Sequence, residues 1–148
     1  MPDCSADDQR QEDGQEEWFR ENGPDLPGLL EHLRTQGHTY DAVLFWAFRY
    51  AEVYFGLPLV KDRAILVPTA EEDPVIRMSS LDRFFALPAG YVFLTPEEQE
   101  LVERRMSTVT PPSCIIGSGL DPAPASSAAD LSSLGLRDPF VLYLGRID

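Results

Sequence analysis

Short apolar runs alternate along the chain with longer segments in which apolar residues recur at every third or fourth position. The apolar runs predict strands over residues 41–46, 64–67, 91–94, 114–116 and 140–144. Each run is short and is followed closely by proline, glycine or charged residues, which end strands. The run over 41–46 shows no alternation of polar and apolar positions after its first residue, a pattern typical of strands buried on both faces of a parallel sheet.

The segments between the runs have the periodicity and the end signals of helices. Helices are predicted over 11–22, 27–36, 47–54, 74–86 (broken) and 95–105. Thr95 suits the N-cap of the last helix, Pro96 its first position, and Glu98 the far side of a capping box. Because helices and strands alternate, the fold class expected is α/β, with a parallel sheet, right-handed crossovers and flanking helices.

Charge and cysteine content narrow the possible functions. The 25 acidic against 12 basic residues give a net charge of −13, which disfavours binding to nucleic acid and to anionic membrane surfaces. The two cysteines, Cys4 and Cys114, form no CxxC pair, so no metal site is expected. No apolar stretch is long enough for a signal peptide or a membrane span, and we expect a cytoplasmic protein.

Seven segments, considered together and in order, resemble one enzyme family. They are EWFR at 17–20 with Gly23-Pro24, YDA at 40–42, YAEVYFGLPLV at 50–60, LVPTA at 66–70, TPEE at 95–98, IGSGLD at 116–121 and YLGRID at 143–148. Their order and spacing are similar to those of bacterial glycosyltransferases built from two facing Rossmann-like domains, the GT-B architecture with retaining, group-1-type chemistry. Such enzymes transfer a hexosyl group from a nucleotide sugar to a carbohydrate or lipid-linked acceptor, and the resemblance implies no further cofactor.

The resemblance also implies a domain organisation. Residues 1–22 are an acidic N-terminal segment and helix, and 23–121 resemble part of the acceptor-side Rossmann-like domain. Residues 122–139 are rich in Gly, Ser, Ala and Pro, as linkers are, and 140–148 resemble the first strand and turn of the donor-side domain. The family's N-terminal glycine-rich unit and most of its donor domain have no counterpart here. We therefore expect no transferase activity from this chain alone.

Two residues near the end of the sequence are candidates for donor binding. Gly145 and Arg146 match the turn at which the family contacts the donor diphosphate. A guanidinium can hold two phosphate oxygens in parallel, which suits the departing diphosphate. The alternative is an ordinary ion pair between Arg146 and a carboxylate such as Asp148.

A second group of candidates follows the strands predicted over 64–67 and 114–116. Thr69, Gly117 and Gly119 match the acceptor cleft, and Glu71 stands where relatives have histidine, since the chain has PTAEEDP in place of PTAHDEP. Glu71 could accept a hydroxyl proton as a catalytic base. The alternatives are that the three adjacent acids are simply solvated and that the glycines form a turn.

Aromatic residues also cluster around the first predicted strand and the helix after it, at Trp46, Phe48, Tyr50, Tyr54 and Phe55. They could stack on sugars, but their helical spacing is more typical of core packing. A competing hypothesis for the whole chain is a non-enzymatic, acidic α/β interaction protein. Its segment 140–144 would then pair with a partner or within a homo-oligomer. Another Rossmann-type enzyme is disfavoured because no G-x-G-x-x-G follows a predicted strand.

Overall fold

The computed structural model describes residues 6–106 and 111–119, together with residues 121, 135 and 141, and for 6–13 it gives the helical backbone. The chain divides into two units, Met1–Ser118 and Gly119–Asp148. The elements below all belong to the first unit. The strand predicted over 140–144 lies outside the described residues apart from Val141, which is exposed.

The described residues form a mixed succession of helices and strands. In chain order the elements are α1 (Ala6–Glu21), α2 (Pro27–Gln36), β1 (Val43–Trp46), α3 (Ala51–Gly56), β2 (Ala64–Val67), α4 (Ser80–Phe84), β3 (Gly90–Phe93), α5 (Pro96–Glu103) and β4 (Ser113–Ile115). Short 3-10 helices occupy Gly37–Thr39, Leu57–Arg63 and Val75–Arg77. No helix in the described part of the chain is both long enough and apolar enough to cross a bilayer.

The four strands form one parallel sheet in the order β1-β2-β3-β4. Leu44 lies opposite Ile65, and Ile65 lies opposite Gly90, so the register is continuous across the first three strands. The predicted α/β class with a parallel sheet and flanking helices is confirmed, and it is consistent with a Rossmann-like fold.

One face of this sheet forms the core together with residues from all five helices. Successive strand residues point to opposite faces, and along β1 to β3 the positions that point to the covered face are buried, except Val43, which is half-buried. Phe19 of α1 anchors the acidic N-terminal helix, because it is fully buried and stacks on Tyr54 with ring centroids 3.9 Å apart. The buried core residues from the strands are Phe45, Ala64, Leu66, Tyr91 and Phe93.

The prediction that the first strand is buried on both faces is wrong. Leu44 and Trp46 point away from the core and are 62% and 57% exposed. Because the strand order follows the chain order, successive crossovers of one hand bring the intervening helices back to the same side of the sheet. A run without polar residues therefore marked a strand with one covered and one uncovered face.

The helix predicted over 47–54 begins later than expected, at Ala51. Ala47 has a left-handed backbone, with φ of 65°, which a helix cannot include. The chain instead prolongs its pairing with β2, since Ala47 N donates to Val67 O at 2.9 Å and Phe48 N to Pro68 O at 3.1 Å.

Burial also affects one ionisable group in the core. The hydroxyl of Tyr91 donates to Phe85 O at 2.6 Å, and burial raises the pKa of this tyrosine well above its usual range. The core therefore contains a neutral phenol that is hydrogen-bonded, as buried polar groups are in native proteins.

Candidate functional site

The carboxyl ends of β1, β2 and β3 meet at one edge of the sheet, which is where open α/β sheets bind ligands. Residues 68–74, which we call the acidic loop, leave the end of β2 at this edge. The loop and one side of α5 line a cleft of about 350 Å³. The lining residues are Ala70, Glu71, Glu72, Thr95, Glu97, Glu98, Leu101 and Arg104.

Glu98 fixes the beginning of the acidic loop to α5. Its side chain is buried, and its carboxylate accepts hydrogen bonds from Ala70 N at 2.8 Å and from Leu94 N at 2.7 Å. Hydrogen bonds to an ionised acceptor are stronger than neutral ones, so both backbone amides are held firmly. A buried carboxylate with two backbone donors is thus the link between the end of β2, the end of β3 and the start of α5.

The capping box predicted at this helix is correct in one half only. Thr95 Oγ1 accepts from Glu98 N at 3.1 Å, as the N-cap prediction requires. The Glu98 carboxylate, however, binds Leu94 N and Ala70 N, whereas in a capping box it would return to the N-cap amide. The reason is that the acidic loop passes close to the helix start and offers a donor there.

Asp73 fixes the other end of the acidic loop. Its Oδ1 accepts from Val75 N at 2.9 Å and from Ile76 N at 3.1 Å, which caps the short 3-10 helix that follows. Its Oδ2 pairs with the guanidinium of Arg49, which comes from the segment after β1. Two loops at the same edge of the sheet are therefore joined by an ion pair.

Two non-glycine residues at this edge have a left-handed backbone. Ala47 follows β1 with φ of 65°, and Thr69 follows β2 with φ of 49°. Each such residue costs on the order of 1–3 kcal/mol, and such strain concentrates at functional sites. The strained positions follow adjacent strands and lie beside the loops that Glu98 and Asp73 fix, so this edge is both strained and firmly held.

Glu71 is exposed and lines the cleft, as a group that meets a ligand must. Its neighbour Glu72 is engaged by Arg77, with a hydrogen bond of 2.7 Å between Arg77 Nη2 and Glu72 Oε1. A free carboxylate at the mouth of a cleft can accept hydrogen bonds or a proton from sugar hydroxyls. Among the described residues, no group of three His, Cys, Asp or Glu side chains could hold a metal ion.

The predicted site residues fall in different places. Thr69 and Glu71 lie together in the acidic loop, whereas Gly117 follows β4, so β3 separates the two strand ends. From the usual strand spacing, the ends of β2 and β4 are about 10 Å apart. Gly119 begins the second unit, and Gly145 and Arg146 lie outside the described residues.

The aromatic cluster is divided between the core and the surface. Phe48 is buried, and Tyr54 and Phe55 are half-buried against the core. Trp46 and Tyr50, in contrast, are 57% and 43% exposed. The core interpretation therefore applies to three of the five, and a stacking surface is possible only at Trp46 and Tyr50.

The sequence prediction did not identify the roles of Glu98 and Asp73. Glu98 was expected to act within its own helix, but its contact to Ala70 joins residues 28 positions apart. No local pattern encodes a contact over that distance. For Asp73 a local signal was present, because an aspartate followed by proline commonly caps a short helical turn.

Comparison with known proteins gives no match to any protein-family model, to any curated protein or to any solved structure. The sheet and its flanking helices define a fold class that hosts many unrelated functions. A function for this chain must therefore be inferred from its residues and from the geometry of the cleft.

Proposed function

We propose that the chain is the acceptor-side, Rossmann-like part of a retaining glycosyltransferase of GT-B architecture. The proposed reaction transfers a hexosyl group from a nucleotide sugar to a carbohydrate or lipid-linked acceptor. One observation supports it above the others: Glu98 of the TPEE segment binds Ala70 of the LVPTA segment at 2.8 Å. Two segments on which the family resemblance depends thus build one cleft at the ligand-binding edge of a parallel sheet.

In this proposal the acidic loop binds the acceptor sugar. The left-handed backbone of Thr69 turns the chain toward the cleft, and Glu98 fixes the next residue by its amide. Glu71 then accepts hydrogen bonds from acceptor hydroxyls, and during transfer it accepts the proton of the attacking hydroxyl. Trp46 ends β1 at the same edge, but its exposed ring points to the other face of the sheet and does not line the cleft.

The donor is proposed to bind through Gly145 and Arg146. The guanidinium neutralises the diphosphate that leaves with the nucleotide, and electrostatic stabilisation of developing charge usually contributes more to catalysis than any other effect. A net charge of −13 opposes the approach of a diphosphate. We therefore expect weak donor binding and no sugar transfer by the isolated chain.

The acceptor part of the proposal can be tested by NMR on the ¹⁵N-labelled chain. Neutral hexose oligosaccharides should shift the amide resonances of Ala70, Glu71 and Leu94 in a saturable manner, with a dissociation constant in the millimolar range, which is about −4 kcal/mol. Glu71→Gln should weaken this binding by about tenfold because an amide cannot accept the same hydrogen bonds from hydroxyls.

Asp62→Asn is the matched control for that titration. It also removes one exposed carboxylate, but Asp62 lies next to the amino end of β2, at the opposite edge of the sheet. The control should bind as the unaltered chain does. Absence of any saturable shift, or an equal loss in both variants, would contradict the assignment of the cleft to the acceptor.

A non-enzymatic interaction protein is the second candidate, and the exposed apolar side chains Leu44 and Trp46 on the sheet favour it. In this hypothesis the segment 140–144 pairs with a partner strand. The sugar titration discriminates the two candidates, because an interaction protein has no reason to bind neutral oligosaccharides in the cleft beside the acidic loop.

A further inference from the structure

The sheet has a second face, opposite the one on which the helices pack. We call it the open face, and its side chains, from β1 to β4 and the residue after it, are Leu44, Trp46, Ile65, Val67, Val92, Cys114 and Ile116. Val67, which lies beside Trp46, is the one of these side chains that is fully buried. Leu44, Trp46 and Ile116 are 62%, 57% and 71% exposed, and none of the seven side chains is charged.

A groove crosses the open face near the amino ends of the strands. Gly90, the first residue of β3, has no side chain, and the groove of about 510 Å³ runs over Ile65, Gly90 and Val92 to Cys114. The exposed side chains of Leu44 and Trp46 lie on the β1 side of this floor, and Ile116 lies on the β4 side. The shape is that of a shallow apolar trough across the strands.

Parallel sheets occur almost only with both faces covered, because their strands have no polar face to present to water. An uncovered apolar face of this kind marks an interaction site. We propose that the open face is the docking surface for one amphipathic helix of a partner protein, with lysine or arginine residues beside its apolar stripe.

The size of the open face favours a helix over a second copy of the chain. Four strands about 4.8 Å apart, with three or four residues each rising about 3.3 Å, give a footprint of about 19 by 13 Å, or about 250 Å². Two copies stacked through this face would bury far less than the ~1,200 Å² at which specific, stable interfaces begin. A helix about 10 Å in diameter that lies across the strands spans the 19 Å in about three turns, and a transient contact of this kind needs no larger area.

The charges beside the groove favour a basic partner. Asp41 and Asp62 line the groove and are exposed. The guanidinium of Arg63, which also lines it, donates to the backbone carbonyls of His38 and Tyr40 at 2.7 and 2.6 Å. With 25 acidic against 12 basic residues in the chain, a helix with flanking lysines is attracted and an acidic helix is repelled.

Trp46 provides the readout for a test, in a Trp18→Phe background that leaves it as the single tryptophan of the chain. The probe is a synthetic amphipathic peptide of leucine and lysine, about 14 residues long, so that it spans the trough. Its binding should shift the emission of Trp46 to shorter wavelength in a saturable manner, with a micromolar dissociation constant, about −8 kcal/mol.

Two double variants give the matched comparison. Leu44→Lys with Ile116→Lys places charges on both sides of the trough and should weaken binding by about tenfold. Leu26→Lys with Leu29→Lys adds the same charge at exposed apolar positions at the start of α2, which are 41% and 39% exposed, and should change binding less than about twofold.

Three results would overturn the proposal. The first is equal binding of a scrambled peptide of the same composition, or of a leucine and glutamate version. The second is an equal loss of affinity in the two double variants. The third is a concentration-dependent dimer in sedimentation that Leu44→Lys with Ile116→Lys abolishes, which would make a second copy the occupant of the open face.

Discussion

At the scale of single residues, Glu98 is the most consequential side chain of the candidate site. It is the one buried acidic residue among those that the structure describes, and each of its carboxylate oxygens accepts a hydrogen bond from a backbone amide. A charge is tolerated in such a place only when hydrogen bonds replace its lost hydration. The acidic loop thus owes its position to a residue in the wall of the cleft whose carboxylate is already engaged by backbone amides.

Replacement of Glu98 by alanine should therefore destabilise the protein. The amide of Ala70 in the acidic loop and that of Leu94 before the helix would lose their acceptor, and we expect a fall in the free energy of unfolding of about 2–4 kcal/mol. Urea denaturation measures this change, and hydrogen exchange at Ala70 N should accelerate with it.

Glu97→Ala is the control, because Glu97 is the exposed neighbour in the same first helical turn. Its effect should remain within about 0.5 kcal/mol, as is usual for surface substitutions. Equal effects of the two substitutions would show that the Glu98 carboxylate does not hold the loop.

At the scale of elements, the end of α2 shows a glycine that is required for space. The helix ends at Gln36, as its predicted bounds require, and Gly37 follows directly. Its backbone, however, is right-handed, with φ of −56°, so the freedom of glycine to adopt positive φ is not used. A Cβ at this position would lie 2.3 Å from Val60 Cγ1, which is inside any permitted contact.

Gly37→Ala should consequently destabilise the protein by about 1–3 kcal/mol through overpacking. In a Val60→Ala background the obstructing methyl is absent, so the same substitution should be neutral or stabilising by up to about 1 kcal/mol. A double-mutant cycle of thermal unfolding measures this coupling.

Gly28→Ala, within α2, is the natural comparison. A Cβ there meets nothing within 4 Å, so alanine should stabilise the helix by about 0.5–1 kcal/mol. If Gly37→Ala behaves like Gly28→Ala when Val60 is intact, the contact with Val60 does not restrict this position.

Much of the succession of elements could be predicted from the sequence. Strand β2 and helix α2 have the predicted bounds, because charged residues and Pro68 border the strand, and Pro27 and Gly37 border the helix. The start of α3 was predicted too early. The left-handed backbone of Ala47 depends on pairing with β2, and the spacing of apolar residues along the sequence does not reveal it. In the site, the acidic loop was predicted as a candidate. Its hydrogen bond to Glu98 was not predicted, because this contact joins residues that are far apart in the sequence.

At the scale of the whole molecule, the chain is strongly acidic, and its first unit contains a sheet with one covered face. A net charge of −13 on 148 residues leaves an excess of mutual repulsion in the compact state. On the open face of the sheet, in contrast, the exposed side chains Leu44, Trp46 and Ile116 carry no charge.

Added salt should therefore stabilise the fold. A rise in sodium chloride from about 10 mM to about 150 mM shortens the Debye length from about 30 Å to about 8 Å, and the midpoint of thermal unfolding should increase. A variant with amides in place of the exposed acids Asp25, Asp41, Asp62 and Glu97 should show a smaller increase. An equal increase in both proteins would assign the effect to something other than repulsion between carboxylates.

The strand order β1-β2-β3-β4 has a consequence for how the sheet is assembled. Each strand pairs with the one synthesised just before it, so no strand has to be inserted between two partners that are already joined. As the chain leaves the ribosome, each new strand can add to the same edge of the sheet. The strand that was added last provides the free edge with which the next one pairs. The topology thus lets the polypeptide fold vectorially, from its amino end onward, without waiting for distant segments.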